Sequence, residues 1–316
     1  MQLQINAVKL SEELANQGYQ CKIISSEHIH DLQAEIASQH CQGLFDEEFF
    51  TEELAGFDFK IADGLAGSKS LIVVAAPQPP VRITFNRQGE SYHGIIPPTY
   101  SYETDRLIQN LLEHQLKPAG FQVKKANLPW KLLAAHSGMA QYGKNNITYV
   151  NGLGSYHRLV AFISDLPGAE DHWQAPQVLE RCENCKACMK ACPTGAITAD
   201  RFLLNGERCL TFRNERREDF PHWIKPSWHN CLVGCLYCQK ACPVNKDIPL
   251  PIEDGPVFSD NETALILQGT PKSKLPRKAI EKLESLDMIE YLPVLGRNLK
   301  VLHEQLSNRF HKYGTV

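Results

Sequence analysis

Nine of the eleven cysteines of this 316-residue chain lie between Cys182 and Cys242. This clustering constrains the chain more than any other feature of its sequence. The N-terminus mixes charged residues and has no apolar signal region, so we expect the chain to stay in the cytoplasm, which is a reducing compartment. Clustered thiols in such a compartment bind metal more often than they form disulfides. The cysteine-rich segment is therefore predicted to be a metal-binding segment.

The first four of these cysteines have the spacing of a bacterial ferredoxin. Cys182, Cys185, Cys188 and Cys192, followed by Pro193, match the run in which three thiolates bind one 4Fe–4S cluster and the fourth binds a second cluster. Structural zinc sites usually join two separate Cys-x2-Cys pairs, so the third cysteine of the run favours iron and sulfide over zinc. Cys21 and Cys41 lie outside the cluster and are predicted to be small core residues.

A second Cys-Pro pair, Cys242-Pro243, is preceded by Cys238 and Cys235 at the same spacing, but Leu232 stands where the next cysteine is expected. Either Cys209 or Cys231 is left to supply the missing ligand. With the crossed ligation of ferredoxins, one predicted cluster takes Cys182, Cys185, Cys188 and Cys242. The other takes Cys192, Cys235, Cys238 and one of the two remaining candidates.

The rest of the chain reads as a mixed α/β protein. Apolar residues make up 43% and charged residues 22%, which is ordinary globular composition, and a net charge of -3 argues against a surface that is basic throughout. We predict an α/β (α+β) cofactor domain over residues 1–178. A ferredoxin-like insertion with two clusters is predicted over 179–250, and a short helical C-terminal segment over 251–316. The longest apolar run, Leu71 to Ala76, is too short to span a membrane.

Local patterns place several elements within these segments. Residues 71–76 and 81–85 are predicted strands, and residues 147–150 and 158–163 flank Asn151-Gly-Leu-Gly154 as a predicted β-hairpin. Apolar residues at helical spacing predict helices near the N-terminus, around Leu32 and Ile36, over 107–116 and over 130–136. Further helices are predicted to begin at Pro276 and to include Leu299, Leu302 and Leu306.

Few residues outside the cysteines point to chemistry. Gly138 to Asn145 resembles a Walker A loop but has Asn in place of the required Ser or Thr, and no strand precedes it, so we reject a nucleotide site. The candidates for a general acid in this region are His136, His157, Tyr142 and Tyr149. Two basic runs are candidates for a tRNA-facing surface, and they comprise Arg213, Arg216 and Arg217, and Lys272, Lys274, Arg277 and Lys278.

Three features together resemble the epoxyqueuosine reductase family, whose members are cobalamin-dependent, carry two 4Fe–4S clusters and are related to reductive dehalogenases. Ser137-Gly-Met-Ala-Gln-Tyr-Gly-Lys-Asn145 with Ile147-Thr-Tyr-Val150 is similar to the family's glycine-rich loop and the strand after it. The order of the cysteines, with Glu207-Arg208-Cys209 between the two motifs, follows the family's order of ligands. Leu295-Gly-Arg-Asn-Leu-Lys300 is similar to its C-terminal Arg-Asn helix.

The resemblance implies specific roles. Cys209 is then the eighth cluster ligand and Cys231 a spare thiol. The N-terminal domain is implied to bind cobalamin, with Lys144 and Asn145 as the residues expected to contact it. Electrons would pass through the clusters to the cobalamin to reduce epoxyqueuosine in tRNA or a related substrate, in the pathway of queuosine biosynthesis.

The chain departs from the family at one point that matters for the chemistry. The family's Asp proton donor has no acidic counterpart in Lys124-Lys-Ala-Asn-Leu-Pro129, although opening an epoxide requires a proton at the departing oxygen. The alternative is therefore a non-catalytic double-cluster electron carrier, or an activator that reduces the corrinoid of a partner protein. In either case the expected electron donor is a protein of the flavodoxin or ferredoxin type, and no membrane partner is expected.

Overall fold

The computed structural model describes residues 5–65, 67–168, 171–249 and 252–313, with the backbone alone for residue 63 and for residues 305–313. Within these residues the strands are, in chain order, β1 (Gln20–Ser25), β2 (Ser70–Pro77), β3 (Val81–Arg87), β4 (Glu90–Ile96), β5 (Val123–Lys125), β6 (Ala140–Tyr142), β7 (Thr148–Val150), β8 (His157–Ser164) and β9 (Glu253–Phe258). The helices are α1 (Ala7–Asn16), α2 (Ile29–Cys41), α3 (Glu47–Phe49), α4 (Glu103–Leu116), α5 (Trp130–His136), α6 (Ala187–Ala191), α7 (Leu210–Glu215), α8 (Tyr237–Lys240), α9 (Asp260–Leu267), α10 (Arg277–Ser285) and α11 (Leu292–Tyr313).

The chain divides into two compact units, each assembled from separate stretches of sequence. The first unit comprises Met1–Gln78, Tyr102–Lys186 and Ala199–Asn205, and the second comprises Pro79–Ser101, Ala187–Thr198 and Gly206–Val316. The predicted mixed α/β class is confirmed. The predicted boundaries at 178/179 and 250/251 stay a prediction, and Leu250 and Pro251 lie outside the described residues.

The first unit is built on an antiparallel sheet with the strand order β1-β2-β8-β5. Side chains alternate between the two faces of a strand, so Leu71, Val73 and Ala75 of β2 enter one core and Ile72, Val74 and Ala76 enter the other. Because both faces are covered by helices, β2 and β8 consist of nearly continuous apolar residues rather than an alternating pattern. This confirms the strand predicted over 71–76.

Four helices cover the two faces of this sheet. Leu10 and Leu14 of α1 lie in the same core as the apolar residues of α4, whereas Leu32 and Ile36 of α2 lie in the opposite core, as does Leu133 of α5. The predicted helix over 107–116 is confirmed. It ends where the chain passes through Pro118 to Gly120, whose φ of 86° suits glycine.

The β-hairpin predicted around Asn151-Gly-Leu-Gly154 is wrong in its pairing, although both of its strands exist. Strand β7 pairs with β6, and β8 pairs with β2 and β5 in the central sheet. The turn itself closes through two hydrogen bonds between Val150 and Gly154, each 2.9 Å long. Burial explains the pairing of β8. Every residue of this strand is buried, and fully buried strands lie inside sheets that are covered on both faces.

The second unit contains a three-stranded sheet with the order β4-β3-β9, in which β9 runs parallel to β3. The predicted strand over 81–85 is confirmed as β3. It joins β4 through Gln88 and Gly89, both with positive φ, as two-residue hairpin turns require. The sequence does not reveal β9, because Glu253-Asp-Gly-Pro256 has no apolar alternation.

Helices α9, α10 and α11 pack on this sheet through one apolar core, which includes Phe258, Ile266, Leu283 and Leu295. Pro276 is the residue before α10 rather than its first helical residue, because its ψ of 144° is extended. Helix α11 confirms the last predicted helix. The side chain of Leu306 lies outside the described residues. No helix among the described parts of the chain is both long and apolar enough to cross a membrane.

Candidate iron-sulfur centre and glycine-rich loop

Two short helices of the second unit carry cysteines of the two motifs. Helix α6 contains Cys188 and packs against α8, which contains Cys238. Cys192 and Cys242 lie just beyond the ends of these helices, and each precedes a proline. The two Cys-x3-Cys-Pro segments are therefore neighbours in space and repeat the same local structure.

Cys192, Cys209 and Cys235 lie close enough to one another to interact electrostatically, although 43 residues separate the first from the last. Burial raises the pKa of the Cys209 thiol, and it raises the pKa of Cys235 to about 11. The backbone N–H groups of Thr211 and Phe212 donate to the Cys209 sulfur. A metal centre replaces the protons of such thiols. Its positive charge then compensates the thiolates, which would otherwise be costly to shield from water.

Cys231 differs from this group in its surroundings. Its side chain is completely buried, and its Sγ donates to Oδ1 of Asn230 at 3.0 Å. It interacts electrostatically with Cys235 and Tyr100. Burial raises the pKa of this thiol well above its ordinary value. Cys209, by contrast, interacts with both Cys192 and Cys235.

Leu232, which replaces the cysteine expected from the spacing, is part of the apolar core of the second unit. Its backbone N–H donates to Ile95 O at 2.8 Å, and a Cβ added at Gly94 would overlap its side chain. The departure from the ferredoxin spacing therefore has a structural cause, because this position faces the sheet.

The residues that the structure describes contain no group of three or more His, Cys, Asp or Glu side chains arranged to hold a single metal ion. Tetrahedral zinc with Zn–S bonds of about 2.3 Å requires four sulfurs within about 4 Å of one another. In a 4Fe–4S cube each thiolate binds a different iron, so the four sulfurs stand further apart. The spacing of the ligand sulfurs therefore distinguishes the two kinds of site.

Cys182 and Cys185 belong to the first unit and lie in a turn that follows Leu179. The Cys182 N–H donates to Leu179 O at 2.8 Å, and the Cys185 N–H donates to Cys182 O at 3.3 Å. Lys144 fixes the same turn from the glycine-rich loop, because its Nζ donates to Glu183 O at 2.9 Å. The loop and the beginning of the cysteine run are therefore joined directly.

The glycine-rich loop connects β6 to β7. Its Gly143 admits no side chain, because a Cβ there would overlap Asn145 Oδ1 and the ring of Tyr149. Asn145 is buried and its Nδ2 donates to the Tyr149 hydroxyl at 3.0 Å. Both residues predicted to contact a cofactor, Lys144 and Asn145, thus have hydrogen-bond partners within the first unit.

Asn146 is the residue of this loop that the sequence analysis missed. It has a φ of 55°, is 8% exposed, and its Oδ1 accepts a hydrogen bond from the Leu204 N–H. Its Nδ2 is buried without a hydrogen-bond partner among the residues that the structure describes. A buried amide donor without a partner is costly, which makes it a candidate contact for a bound group.

The four candidate general acids all lie inside the first unit. His136 contacts Glu35 Oε2 through Nε2 and Gln174 O through Nδ1, each at 2.7 Å. Burial lowers the pKa of His157 to about 4 and raises the pKa of Tyr142 well above its ordinary value. Tyr149 accepts the hydrogen bond from Asn145. Each of these residues therefore has a structural role within the unit.

The stretch from Lys124 to Pro129 contains no acid, but it lies beside a buried one. Lys125 Nζ contacts Asp105 Oδ2 at 2.5 Å, and Arg158 binds both oxygens of the same carboxylate. Both cations lie over the rings of Tyr102 and Trp130. Asn127 Nδ2 donates to Gly56 O at 3.0 Å. This charged cluster was not predicted from the sequence.

Arg297 and Asn298, from the C-terminal Arg-Asn motif, hold the chain around Cys209 and Cys235. Asn298 is completely buried, and its Nδ2 donates to Asn214 O at 2.8 Å and to Leu232 O at 2.7 Å. Arg297 donates to the carbonyls of Arg213, Asn214 and Glu218. This motif therefore has a structural role in the second unit.

The two basic runs are partly engaged within the protein. Arg213 donates to Glu207 O, Arg216 pairs with Glu218, and Arg277 and Lys272 pair with Glu281 and Glu284. Arg217, Lys274 and Lys278 are exposed.

The expectation that Cys21 and Cys41 are core residues is half right, because Cys21 packs against a core whereas Cys41 is exposed at the end of α2.

Comparison with known proteins identifies the cysteine-rich region. Residues 181–245 match the 4Fe–4S double cluster binding domain. The epoxyqueuosine reductase of Leadbetterella byssophila is 27% identical over 194 residues, which is 59% of this chain and 61% of that protein. The epoxyqueuosine reductase of Shewanella oneidensis is 30% identical over 168 residues, covering 52% of this chain and 42% of that protein.

The chain is also similar to solved structures of epoxyqueuosine reductases. The epoxyqueuosine reductase of Streptococcus thermophilus matches with a TM-score of 0.66 and 18% identity, over 93% of this chain and 80% of that one. The chain resembles the epoxyqueuosine reductases in sequence and shares their fold. Another epoxyqueuosine reductase structure, containing an epoxyqueuosine-modified tRNA-Tyr stem loop, matches with a TM-score of 0.62 and 21% identity, over 92% and 81% of the two chains. The sequence matches to epoxyqueuosine reductases span less than two thirds of those proteins.

Proposed function

We propose that the protein is an iron–sulfur oxidoreductase that passes electrons through two 4Fe–4S clusters to a cobalamin, which reduces epoxyqueuosine in tRNA or a related substrate. The observation that carries this proposal is the grouping of Cys192, Cys209 and Cys235 within the domain that matches the double cluster family. Two clusters at one site supply electrons one at a time, and such a relay requires an acceptor.

The eight ligands that we propose form two sets. One cluster takes Cys182, Cys185, Cys188 and Cys242, and the other takes Cys192, Cys209, Cys235 and Cys238. The choice of Cys209 over Cys231 is supported by its interactions with both Cys192 and Cys235 and by the N–H groups of Thr211 and Phe212 that face its sulfur. Cys231 instead donates to Asn230.

We place the cobalamin at the glycine-rich loop, with Lys144 and Asn145 as proposed contacts and Asn146 as an added one. The support in this structure is the buried Nδ2 of Asn146, which lacks a partner in the described part of the chain. A bound corrinoid would supply a metal centre that accepts single electrons and delivers a strong nucleophile or reductant to the substrate. Lys144 ties this loop to the turn of Cys182 and Cys185, which keeps the loop next to these two proposed cluster ligands.

The proposed tRNA substrate rests on the likeness to the epoxyqueuosine reductase that was solved with a modified stem loop. The exposed, positively charged side chains of Arg217, Lys274 and Lys278 are the proposed contacts for the tRNA phosphates. A flavodoxin- or ferredoxin-type donor and a cytoplasmic location complete the proposal, because 4Fe–4S clusters of this type require a reducing partner.

A second candidate function is a double-cluster electron carrier or an activator that reduces the corrinoid of a partner. It is favoured by the stretch from Lys124 to Pro129, where no carboxylate stands and where Asn127 and Lys125 already have partners. A carrier has no departing oxygen to protonate, so the absence of an acid in this stretch would then have no cost.

One experiment separates the two functions. Anaerobically purified protein is reconstituted with iron, sulfide and hydroxocobalamin, freed of unbound corrinoid, and incubated with an epoxyqueuosine-modified tRNA stem loop and a chemical reductant. If the protein is the proposed reductase, it retains corrinoid and converts epoxyqueuosine to queuosine, which nucleoside mass spectrometry detects. A Cys209→Ser variant is expected not to carry out this conversion. A protein that contains both clusters but binds no corrinoid and leaves the nucleoside unchanged is the carrier.

A further inference from the structure

Asn230 makes a set of hydrogen bonds that places its amide on a proposed cluster ligand. Its Nδ2 donates to Cys235 Sγ at 3.2 Å, with a second and longer contact of 3.4 Å to Trp228 O. Its Oδ1 accepts from the Leu236 N–H at 2.9 Å and from the Cys231 thiol at 3.0 Å. All of these residues belong to the second unit.

The two groups that face Oδ1 determine which way the amide points. An asparagine side chain has one end that accepts and one end that donates, and the backbone N–H of Leu236 can only donate. The Cys231 thiol lies on the same side and is completely buried, so its S–H has no access to solvent. Together they fix the oxygen toward themselves and leave the N–H group directed at Cys235 Sγ.

We propose that Asn230 raises the reduction potential of the cluster held by Cys235, and that Cys231 is the positioning residue that orients it. This inference rests on the proposed function, which supplies the cluster. A hydrogen bond to a ligand sulfur stabilises the more negative, reduced cluster more than the oxidised one, and hydrogen bonds to sulfur are among the factors that set these potentials. Cys231 thereby acquires a role that is not ligation.

The experiment is a redox titration of anaerobically prepared, reconstituted protein, followed by electron paramagnetic resonance. For Asn230→Ala we expect the ratio of reduced to oxidised Cys235 cluster at a fixed potential to fall about tenfold, which corresponds to about 59 mV for one electron. The potential of the other cluster stays close to its native value. Asn230→Asp keeps the shape and the acceptor oxygen but loses the N–H donor, so it shifts the same cluster in the same direction.

The Cys231 variants test the positioning role. Cys231→Ala removes one of the two donors to Oδ1 and is expected to lower the same potential by less than Asn230→Ala does. Cys231→Ser retains a hydrogen-bond donor and is expected to restore most of the native value. A residue that only filled space would not distinguish these two substitutions in a potential measurement.

The iron content of each preparation separates the possible failures. Unchanged potentials in both Asn230 variants, with all the iron retained, overturn this inference and leave the proposed function intact. Loss of one cluster in Cys231→Ala also overturns it, because Cys231 would then be a ligand. A native protein that cannot bind clusters under reconstitution overturns the proposed function and this inference together.

Discussion

Arg158 and Asp105 form a two-pronged ion pair inside the first unit, with Nε to Oδ1 and Nη2 to Oδ2 both at 2.8 Å. The two side chains are 8% and 3% exposed. The guanidinium lies between this carboxylate and the rings of Tyr102 and Trp130, so the pair links α4 to β8 and to α5. Both charges are shielded from water, and the carboxylate compensates Arg158 and also Lys125.

Asp105→Asn is therefore expected to destabilise the first unit by about 3 to 5 kcal/mol, because it removes the buried negative charge that pairs with Arg158 and Lys125. The measurement is the urea midpoint followed by tryptophan fluorescence, to which Trp130 beside the pair contributes. Glu284→Gln is the control, since its pair with Lys272 is half exposed and such pairs contribute about 0 to 1 kcal/mol. Equal midpoint shifts in the two variants would contradict the assigned role of the pair.

Asn298 is expected to be essential for the stability of the second unit. Asn298→Ala removes two hydrogen bonds and leaves the buried carbonyl of Leu232 without this donor, at a cost of about 1 to 3 kcal/mol, whereas the Asn214 carbonyl keeps its hydrogen bond from Arg297. Hydrogen exchange measured by mass spectrometry should show faster exchange over residues 210–215 and 230–236. Protection equal to that of the native protein in both stretches would show that Asn298 does not hold them.

Gly94 and Leu232 are expected to be coupled. Gly94→Ala places a methyl group against Leu232 and is expected to cost about 1 to 3 kcal/mol, and Leu232→Ala to cost about 2 to 5 kcal/mol through the cavity it leaves. In the double variant the added methyl group enters part of that cavity. In a double-mutant cycle of unfolding free energies, the loss measured for the double variant should therefore be smaller than the sum of the two single losses, by about 1 kcal/mol or more. Additive costs would show that the two residues are not in contact.

The burial of His157 predicts a pH dependence of stability. Burial lowers its pKa in the folded protein to about 4, whereas the unfolded chain titrates near pH 6.5. Between these values the unfolded state binds more protons, so stability falls as the pH is lowered from about 6.5 to about 4. The full effect of this one residue amounts to about 3 kcal/mol.

His157→Gln is expected to reduce the slope of unfolding free energy against pH over that interval, and the exposed His222→Gln serves as the control. Acid loss of any bound cluster affects all three proteins alike, so the comparison isolates the imidazole. A slope in His157→Gln equal to that of the native protein would mean that His157 is not held neutral in the folded state.

The sequence predicted best where a single physical requirement acts over a short stretch. The apolar run at Leu71 had to be a strand covered on both faces, and the helical spacing that ends at Leu116 had to be a helix. The spacing of the cysteines predicted a double cluster domain, which the family comparison confirms for residues 181–245.

What the sequence did not predict depends on partners that are distant along the chain. The pairing of β8 follows from burial within a sheet whose other strands lie elsewhere, and the strand at Glu253 is held by a parallel partner, β3. Asp105 was not recognised because its cation, Arg158, is 53 residues away. Asn146 was missed because a buried donor without a partner is a property of three-dimensional packing alone.

The proposal that eight cysteines of this chain hold two 4Fe–4S clusters is best tested by the metal and sulfide content of anaerobically purified protein. We predict about eight irons and eight acid-labile sulfides per native chain. We also predict the loss of one cluster in Cys209→Ser and the retention of both in Cys231→Ser. A colourless protein without iron that contains stoichiometric zinc would show that these cysteines form a zinc site and not two clusters.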